Sequence, residues 1–366
     1  MFKKYDKKTF TNLEKQHNIF VLVGNGFDIS VLRKYNQGKM KGKTTSYSDF
    51  YDYITYFNLS DDSNILYKKM IEDKANNKEN WSDFENTISE LLDDKETNIE
   101  ELEKCVDEFQ DHFTRFLNDL VDTNTLLALN KDVIKNKLSK QSLQNFSNDL
   151  DNLISIKDDK HYKLFYYVFA NLNYTSLLDN YMYMDKSQFD PHRHKTVDTN
   201  FSFIINQKDK NASPTILSSY LIYEVLHLHG VQDVPRSILF GVDIPDYDAG
   251  TAPQKRLIKS YLSQYEAKYK SYIDNADLFI IYGMSLGKTD AWWLDKIYDA
   301  ILSRGVELII YKYGNEKEED VKQMFIDSYI RHSNSNKSDI DKVKKKIFVV
   351  TFNDNNTYFL GLEKKV

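Results

Sequence analysis

Asn18-Ile19-Phe20-Val21-Leu22-Val23-Gly24-Asn25-Gly26-Phe27-Asp28 is the stretch that decides the fold of this chain. Asn18 to Val23 is a short, continuous apolar run, the pattern of a strand buried on both faces. Gly24 and Gly26 then turn the chain into a segment beginning Phe27-Asp28-Ile29. The chain has 12 glycines in 366 residues, so two of them at one strand end are informative. Strand, glycine turn and helix start stand in immediate succession, the opening of a parallel α/β core.

Further strand signals lie at Tyr162 to Leu172, Glu224 to Leu228, Ile238 to Val242, Ala276 to Tyr282, Val306 to Tyr311 and Lys346 to Thr351. Helical segments at Gln254 to Ile273, Asp290 to Leu302 and Glu316 to Tyr329 separate the later ones. This alternation predicts a Rossmann-like α/β fold, a mostly parallel sheet with helices on both faces. Between Ser46 and Asp159 the apolar residues recur at helical spacing: Phe50, Tyr53, Ile54 and Phe57 on one stripe, Leu102, Cys105, Phe109, Phe113 and Phe116 on another. Ser46 or Ser48 is placed to cap the first of these helices. The chain therefore divides into residues 1–45 for the first strand and glycine turn, 46–160 for a large helical insertion, and 161–366 for the rest of the core. Asp185 to Pro214 is polar and reads as a loop.

Composition narrows the function classes. The formal net charge is −6, and no basic stripe of the kind that non-specific nucleic-acid binding needs is present. The lone cysteine, Cys105, rules out an intramolecular disulfide and a multi-cysteine zinc site, and its place in an apolar stripe reads as a buried structural thiol. The first 17 residues are charged and lack the apolar core of a secretory signal, and no apolar run reaches membrane-helix length. A cytoplasmic protein, with a homo-oligomer open as an option, is the expectation.

The strand ends carry a constellation of polar and glycine clusters. Gly24-Asn25-Gly26-Phe27-Asp28, Asn173-Tyr174-Thr175, His227-Leu228-His229-Gly230, Phe240-Gly241-Val242-Asp243 and Gly283-Met284-Ser285-Leu286-Gly287 with Asp290 stand at five of them. Ligands of parallel sheets bind at the carboxyl ends of the strands. The glycines of the first turn have two readings. They supply left-handed backbone for a tight turn, or their bare backbone at a helix start admits a phosphate. Asp28 suits the helix dipole but repels a phosphate, which leaves it ribose hydroxyls or a capping role. His229, at a strand end before Gly230, is placed for catalysis, and His227 reads as structural. No cluster has metal-ligand spacing.

The ordered set resembles the AbiH family of bacteriophage abortive-infection proteins. The residues that carry it are Val23-Gly24-Asn25-Gly26-Phe27-Asp28, Thr45-Ser46-Tyr47-Ser48-Asp49-Phe50, Trp81-Ser82-Asp83-Phe84-Glu85, Asn173-Tyr174-Thr175, His227-Leu228-His229-Gly230 and Gly283-Met284-Ser285-Leu286-Gly287 with Asp290. The order of glycine turn, Asn strand end, His-Gly and Gly-x-Ser is similar, more distantly, to the sirtuin-like NAD-cleaving domains of bacterial defence systems. That likeness implies Asn173 and His229 as a catalytic pair. It also implies NAD as substrate, with Gly24, Asn25, Gly26, Asp28, Thr175, Asp243, Ser285 and Asp290 as nucleotide contacts and no metal. This chain lacks the four-cysteine zinc module of true sirtuins, so protein deacylation is not expected. The implied function is antiphage defence by NAD hydrolysis on an unknown phage trigger. The rivals are a non-catalytic nucleotide-binding phage sensor and a metal-dependent nuclease built on Asp28, Asp243 and Asp290.

Overall fold

The computed structural model describes residues 16–139, 142–143, 146, 164–183, 220–243, 256–287, 290–330, 337–353 and 359–363. Strand β1 (Gln16–Val23) is followed by helix α1 (Gly26–Tyr35). Helices α2 (Tyr47–Phe57), α3 (Ile65–Ala75), α4 (Phe84–Asp93), α5 (Ile99–Leu120) and α6 (Thr123–Asn136) come next. Then come β2 (Leu164–Asn171), α7 (Leu177–Met182), β3 (Tyr220–His227) and three short helices, α8 (Lys259–Leu262), α9 (Tyr265–Lys268) and α10 (Lys270–Asn275). The chain closes with β4 (Leu278–Tyr282), α11 (Ala291–Arg304), β5 (Glu307–Tyr313), α12 (Glu318–Ile330), α13 (Lys337–Lys344) and β6 (Ile347–Phe352).

The six strands form one sheet in the order β3-β2-β1-β4-β5-β6, and every pairing is parallel. That is the 3-2-1-4-5-6 order of doubly wound dinucleotide-binding sheets, with the topological switch between β1 and β4. The sequence predicts a mostly parallel Rossmann-like sheet, and the structure has it. The run Ile19 to Val23 is buried on both faces because the side chains alternate. Ile19, Val21 and Val23 join a core with α1, α2, α4 and α5, while Phe20 and Leu22 join one with α11 and α12.

The helical stripes bury as the periodicity predicts, except for Phe57 at the end of α2, which is exposed. Ser46 caps α2, accepting from the Asp49 amide at 3.2 Å. In α5, Leu102, Cys105, Phe109, Phe113, Phe116 and Leu120 all face inward. Phe113 and Phe84 pack edge-on against Phe240, at 5.2 and 4.7 Å between ring centres, which seats the helical block on the loop after β3. Burying a ring of this size contributes about 2 kcal/mol. No described helix is long and apolar enough to cross a membrane.

Two expectations change. Ile238 to Val242 is not a strand of the sheet. Ile238, Phe240 and Val242 are buried apolar residues at alternate positions, which gives the strand-like pattern, but only one isolated bridge, Val242 to Ile258, pairs the segment. The expected helix Gln254 to Ile273 is broken into α8, α9 and α10, with Gln264 in the left-handed region at φ +53 where the chain turns. The polar loop Asp185 to Pro214 lies outside the described residues.

Candidate functional site

A cavity of about 450 Å³ opens at the carboxyl ends of the strands, beside the β1–β4 switch point. This volume lies within the range of small-molecule sites. Its floor is the turn after β1 (Gly24, Asn25, Gly26), the first turn of α1 (Asp28), the segment after β2 (Asn173 to Thr175) and the turn after β4 (Gly283 to Ser285). His229 and Asp290 stand at one side, and Tyr47, Asp83, Glu85 and Phe113 of the helical block form the roof. Nine of the ten residues singled out from the sequence therefore line one cavity, the exception being Asp243.

The first turn is held by backbone contacts to the turn after β4. Gly24 N donates to Tyr282 O and Gly26 N to Gly283 O, each at 2.9 Å. A Cβ on Gly24 would lie 2.6 Å from Met284 Cγ and 2.8 Å from Gly283 O, and one on Gly26 2.9 Å from Gly283 Cα. Neither glycine has a positive φ, whereas Gly283 does, at +67. The left-handed-turn reading of Gly24 and Gly26 is thus corrected: they are glycines because the β1 and β4 turns touch. The same contact gives the phosphate reading a structural competitor, since the nearest atoms to an added methyl belong to the protein.

The N-terminus of α1 is left without a side-chain cap. Asn25, the residue at the cap position, is turned to Thr45 instead. Its Nδ2 donates to Thr45 O (3.3 Å), and its Oδ1 accepts a very short bond from Thr45 Oγ1. Asn173 Nδ2 donates to Gly24 O at 3.2 Å, so Asn173 braces the glycine turn while lining the cavity. Asp28 is fully buried, and its Oδ2 accepts from Thr175 Oγ1 at 2.6 Å. Its Oδ1 has no hydrogen-bond partner among the described residues. Burial raises the Asp28 carboxyl to about 7, against the lowering pull of Thr175 and His227. Part of the population is then uncharged near neutral pH, which reduces the repulsion that the sequence alone implies.

His229 stands after β3 and is placed by the turn behind it. Gly230 takes φ +87, and a Cβ there would lie 2.0 Å from Ser237 O, so only glycine lets the chain leave at this angle. His229 is buried, and its Nε2 lies 3.4 Å from Asp290 Oδ1 without forming a hydrogen bond. Burial and then the Lys259 ammonium lower its pKa to about 4, with Asp290 pulling the other way, so the ring is neutral at pH 7. His227 is separate. It pairs with Asp179 at 3.0 Å, outside the cavity lining, in keeping with a structural role.

Asp290 is free to face His229 because another residue does its capping. It occupies the N-cap position of α11 without a side-chain cap bond, and Asp243 accepts from the Trp292 amide at 3.0 Å in its place. Asp243 is therefore a helix cap that stands outside the cavity lining. Asp28, Asp243 and Asp290 have separate partners: Thr175 Oγ1, the Trp292 amide and Lys259 Nζ. No described group of three or more His, Cys, Asp or Glu is placed to share a metal ion.

The sequence does not point to Lys259 or to Glu85 as site residues. Lys259 Nζ lies 2.7 and 2.8 Å from the two Glu85 carboxylate oxygens and 3.4 Å from Asp290 Oδ1, with all but the edge of Asp290 buried. Burial disfavours the ammonium, but Asp290 and Glu85 outweigh it and raise its pKa. Burial also raises the Glu85 carboxyl against the pull of Lys259. Asp290 is held below its ordinary value, Lys259 and His229 together overcoming its burial. Removing one partner of a buried pair such as this costs about 3–5 kcal/mol.

The fold and the site define a doubly wound parallel α/β protein with a polar cavity at its switch point, roofed by helices inserted after the first βα unit. Residues 19–312 match the family model of bacteriophage abortive infection AbiH, and the chain belongs to that family. It is accordingly a phage abortive-infection defence protein. No curated protein gives a significant match.

Proposed function

We propose that this protein acts in defence by hydrolysing NAD at the nicotinamide–ribose bond. The observation that carries the reading is the meeting of Asn173 and His229 in one cavity at the switch point, where doubly wound sheets place a dinucleotide. The pyrophosphate is assigned to the N-terminus of α1, which has no side-chain cap, beside an Asp28 that is partly protonated near neutral pH. The ribose and the cationic nicotinamide fit the side that carries Asp290, Asp83 and Glu85.

The reaction consumes one water. The C1′–N bond breaks, its electron pair leaves with neutral nicotinamide, and water adds to C1′ to give ADP-ribose and one proton. The departing group is already cationic, so no strong acid is needed, and the work is to stabilise an oxocarbenium-like state. Asn173 spends Nδ2 on Gly24 O, which leaves Oδ1 to accept from the water or a ribose hydroxyl. Neutral His229 accepts a proton from a ribose hydroxyl at Nε2, and ionised Asp290 at 3.4 Å stabilises the imidazolium that forms.

The test is release of nicotinamide from NAD by the purified chain, with and without lysate of phage-infected cells. Nicotinamide and ADP-ribose in equal amounts support the reading. NAD binding in calorimetry with no turnover under either condition overturns it in favour of a nucleotide-binding sensor.

A further inference from the structure

The buried charges next to the proposed pair are more than hydrolysis itself uses. Lys259 comes from the start of α8, Glu85 from α4 of the helical block, and Asp290 from the start of α11. Three separate elements thus converge on one ammonium that is itself almost wholly buried. Its placement is built into the backbone. Val242 N donates to Leu257 O (2.9 Å) and Lys259 N to Val242 O (3.0 Å), so a two-bond clip fixes Lys259 next to the segment that carries Asp243. Asp243 in turn caps α11 and frees Asp290. The clip therefore aligns both partners of the Lys259–Asp290 contact.

We propose that Lys259 is a positioning residue: clamped by Glu85 of the helical roof, it holds Asp290 against His229, so that the pair is assembled only when the roof is seated on the α/β core. This rests on the hydrolytic reading for its consequence but not for its geometry. The charged groups facing His229 are Lys259 and Asp290, with Glu85 beyond Lys259 and the Tyr174 ring 6.0 Å away. With Lys259 in place the ring is kept neutral and Asp290 ionised, which is the state a proton acceptor backed by a carboxylate requires. Without Lys259, burial still disfavours the charged ring, but Asp290 acts on it unopposed by an ammonium and its pKa rises. The helical block then has a chemical part in the site as well as a steric one, because it supplies the carboxylate that holds the ammonium.

The test follows the His229 ring by NMR on histidine-labelled full-length protein, beside the pH profile of NAD loss. In the parent the ring is expected to titrate near 4. In Lys259→Met it should titrate at higher pH, with the acid limb of kcat displaced the same way, kcat reduced about 100-fold and KM little changed. Lys259→Arg keeps the charge and should keep the low titration. Lys259→Met leaves Glu85 buried without its partner, so Lys259→Met with Glu85→Gln is measured as well, and this double variant should fold and show the same displaced titration. A folded double variant whose His229 ring titrates as in the parent overturns the proposal. A parent without NAD loss overturns the hydrolytic reading instead, and the ring titration still decides the role of Lys259.

Discussion

His229 Nε2 lies 3.4 Å from Asp290 Oδ1, although one residue stands after β3 at the edge of the sheet and the other opens the helix after β4, across the switch point. Both atoms are acceptors while the neutral ring keeps its proton on Nδ1; Asp290 Oδ1 has Lys259 Nζ as a donor, and His229 Nε2 has none among the described residues. A water between them could donate to both, and a ribose hydroxyl could donate to Nε2. This unsatisfied Nε2 is the feature of the cavity that asks most directly for a substrate group.

His229→Ala is expected to lower NAD loss by about 10²–10⁴-fold, the contribution of a positioned acid or base, and to abolish phage protection. The fold should survive, since the ring makes no Nε2 bond. Asn173→Ala should be comparably inactive but also less stable by about 1 kcal/mol, because its Nδ2 bond to Gly24 O is lost. The parent's acid limb should fall near pH 4 and not at the ordinary histidine value. Full protection by a folded His229→Ala protein would remove the catalytic assignment.

Asp243→Ala should cost about 1 kcal/mol through loss of the α11 cap. It should also reduce turnover, because Asp290 already stands at the N-cap position and is drawn back to the exposed amide, away from His229. Asp243→Asn keeps an acceptor oxygen and should restore both. A thermal melt and a turnover assay on the two variants check this; equal activity in Asp243→Ala and the parent would show that Asp290 stays in place unaided.

The sheet and the cavity floor are legible in the sequence because both are local signals. A continuous apolar run with a glycine turn marks β1, and polar clusters mark the ends of β1, β2, β3 and β4. Ile238 to Val242 misleads because apolar burial at alternate positions depends on packing against Phe84 and Phe113, while strand identity depends on a ladder partner that the pattern does not contain. Lys259 and Glu85 escape a sequence reading because a lone charge in a helical stretch ordinarily reads as solvated. Their partnership spans 174 residues and exists only once the helical block is seated. The one available signal is Glu85 within the Trp81 to Glu85 motif, which carries the family resemblance without a role attached. The glycines of the first turn stand out in the sequence, but the β4 turn that presses on them is invisible to a reading of the β1 turn alone.

Gly26→Val puts a side chain into the Gly283 backbone, 2.9 Å from its Cα and its carbonyl oxygen. Neither neighbour is a flexible side chain that can swing away, so the strain falls on the fold first. Overpacking of this sort costs about 1–3 kcal/mol. The expected result is a lower Tm, with nucleotide affinity falling only as the cavity floor is displaced. A turn that binds phosphate predicts the opposite order, affinity before stability. Melts and NAD titrations of the variant decide between them, and an unchanged Tm would return the first turn to the phosphate.

Asp28 offers a test that depends on pH. Its carboxyl is raised from 3.8 to about 7 by full burial, so between those values the folded protein holds a proton that the unfolded chain has released. Stability contributed by the protonated form is therefore present at low pH and lost as pH rises through about 7. Asp28→Asn removes the titration and keeps an oxygen to accept from Thr175 Oγ1. The variant should gain on the parent as pH rises, by on the order of 2 kcal/mol between pH 5 and pH 8, roughly two pKa units' worth of free energy. Denaturant melts at the two pH values read this directly. A bound pyrophosphate should widen the parent's dependence, because an anion at the α1 N-terminus favours the neutral acid further. NAD affinity in the parent is then expected to weaken from pH 6 to pH 8 and in Asp28→Asn to stay level. A parallel decline in both proteins would place the phosphate away from Asp28, and a variant that gains nothing with pH would mean that the buried carboxyl is ionised in the native state.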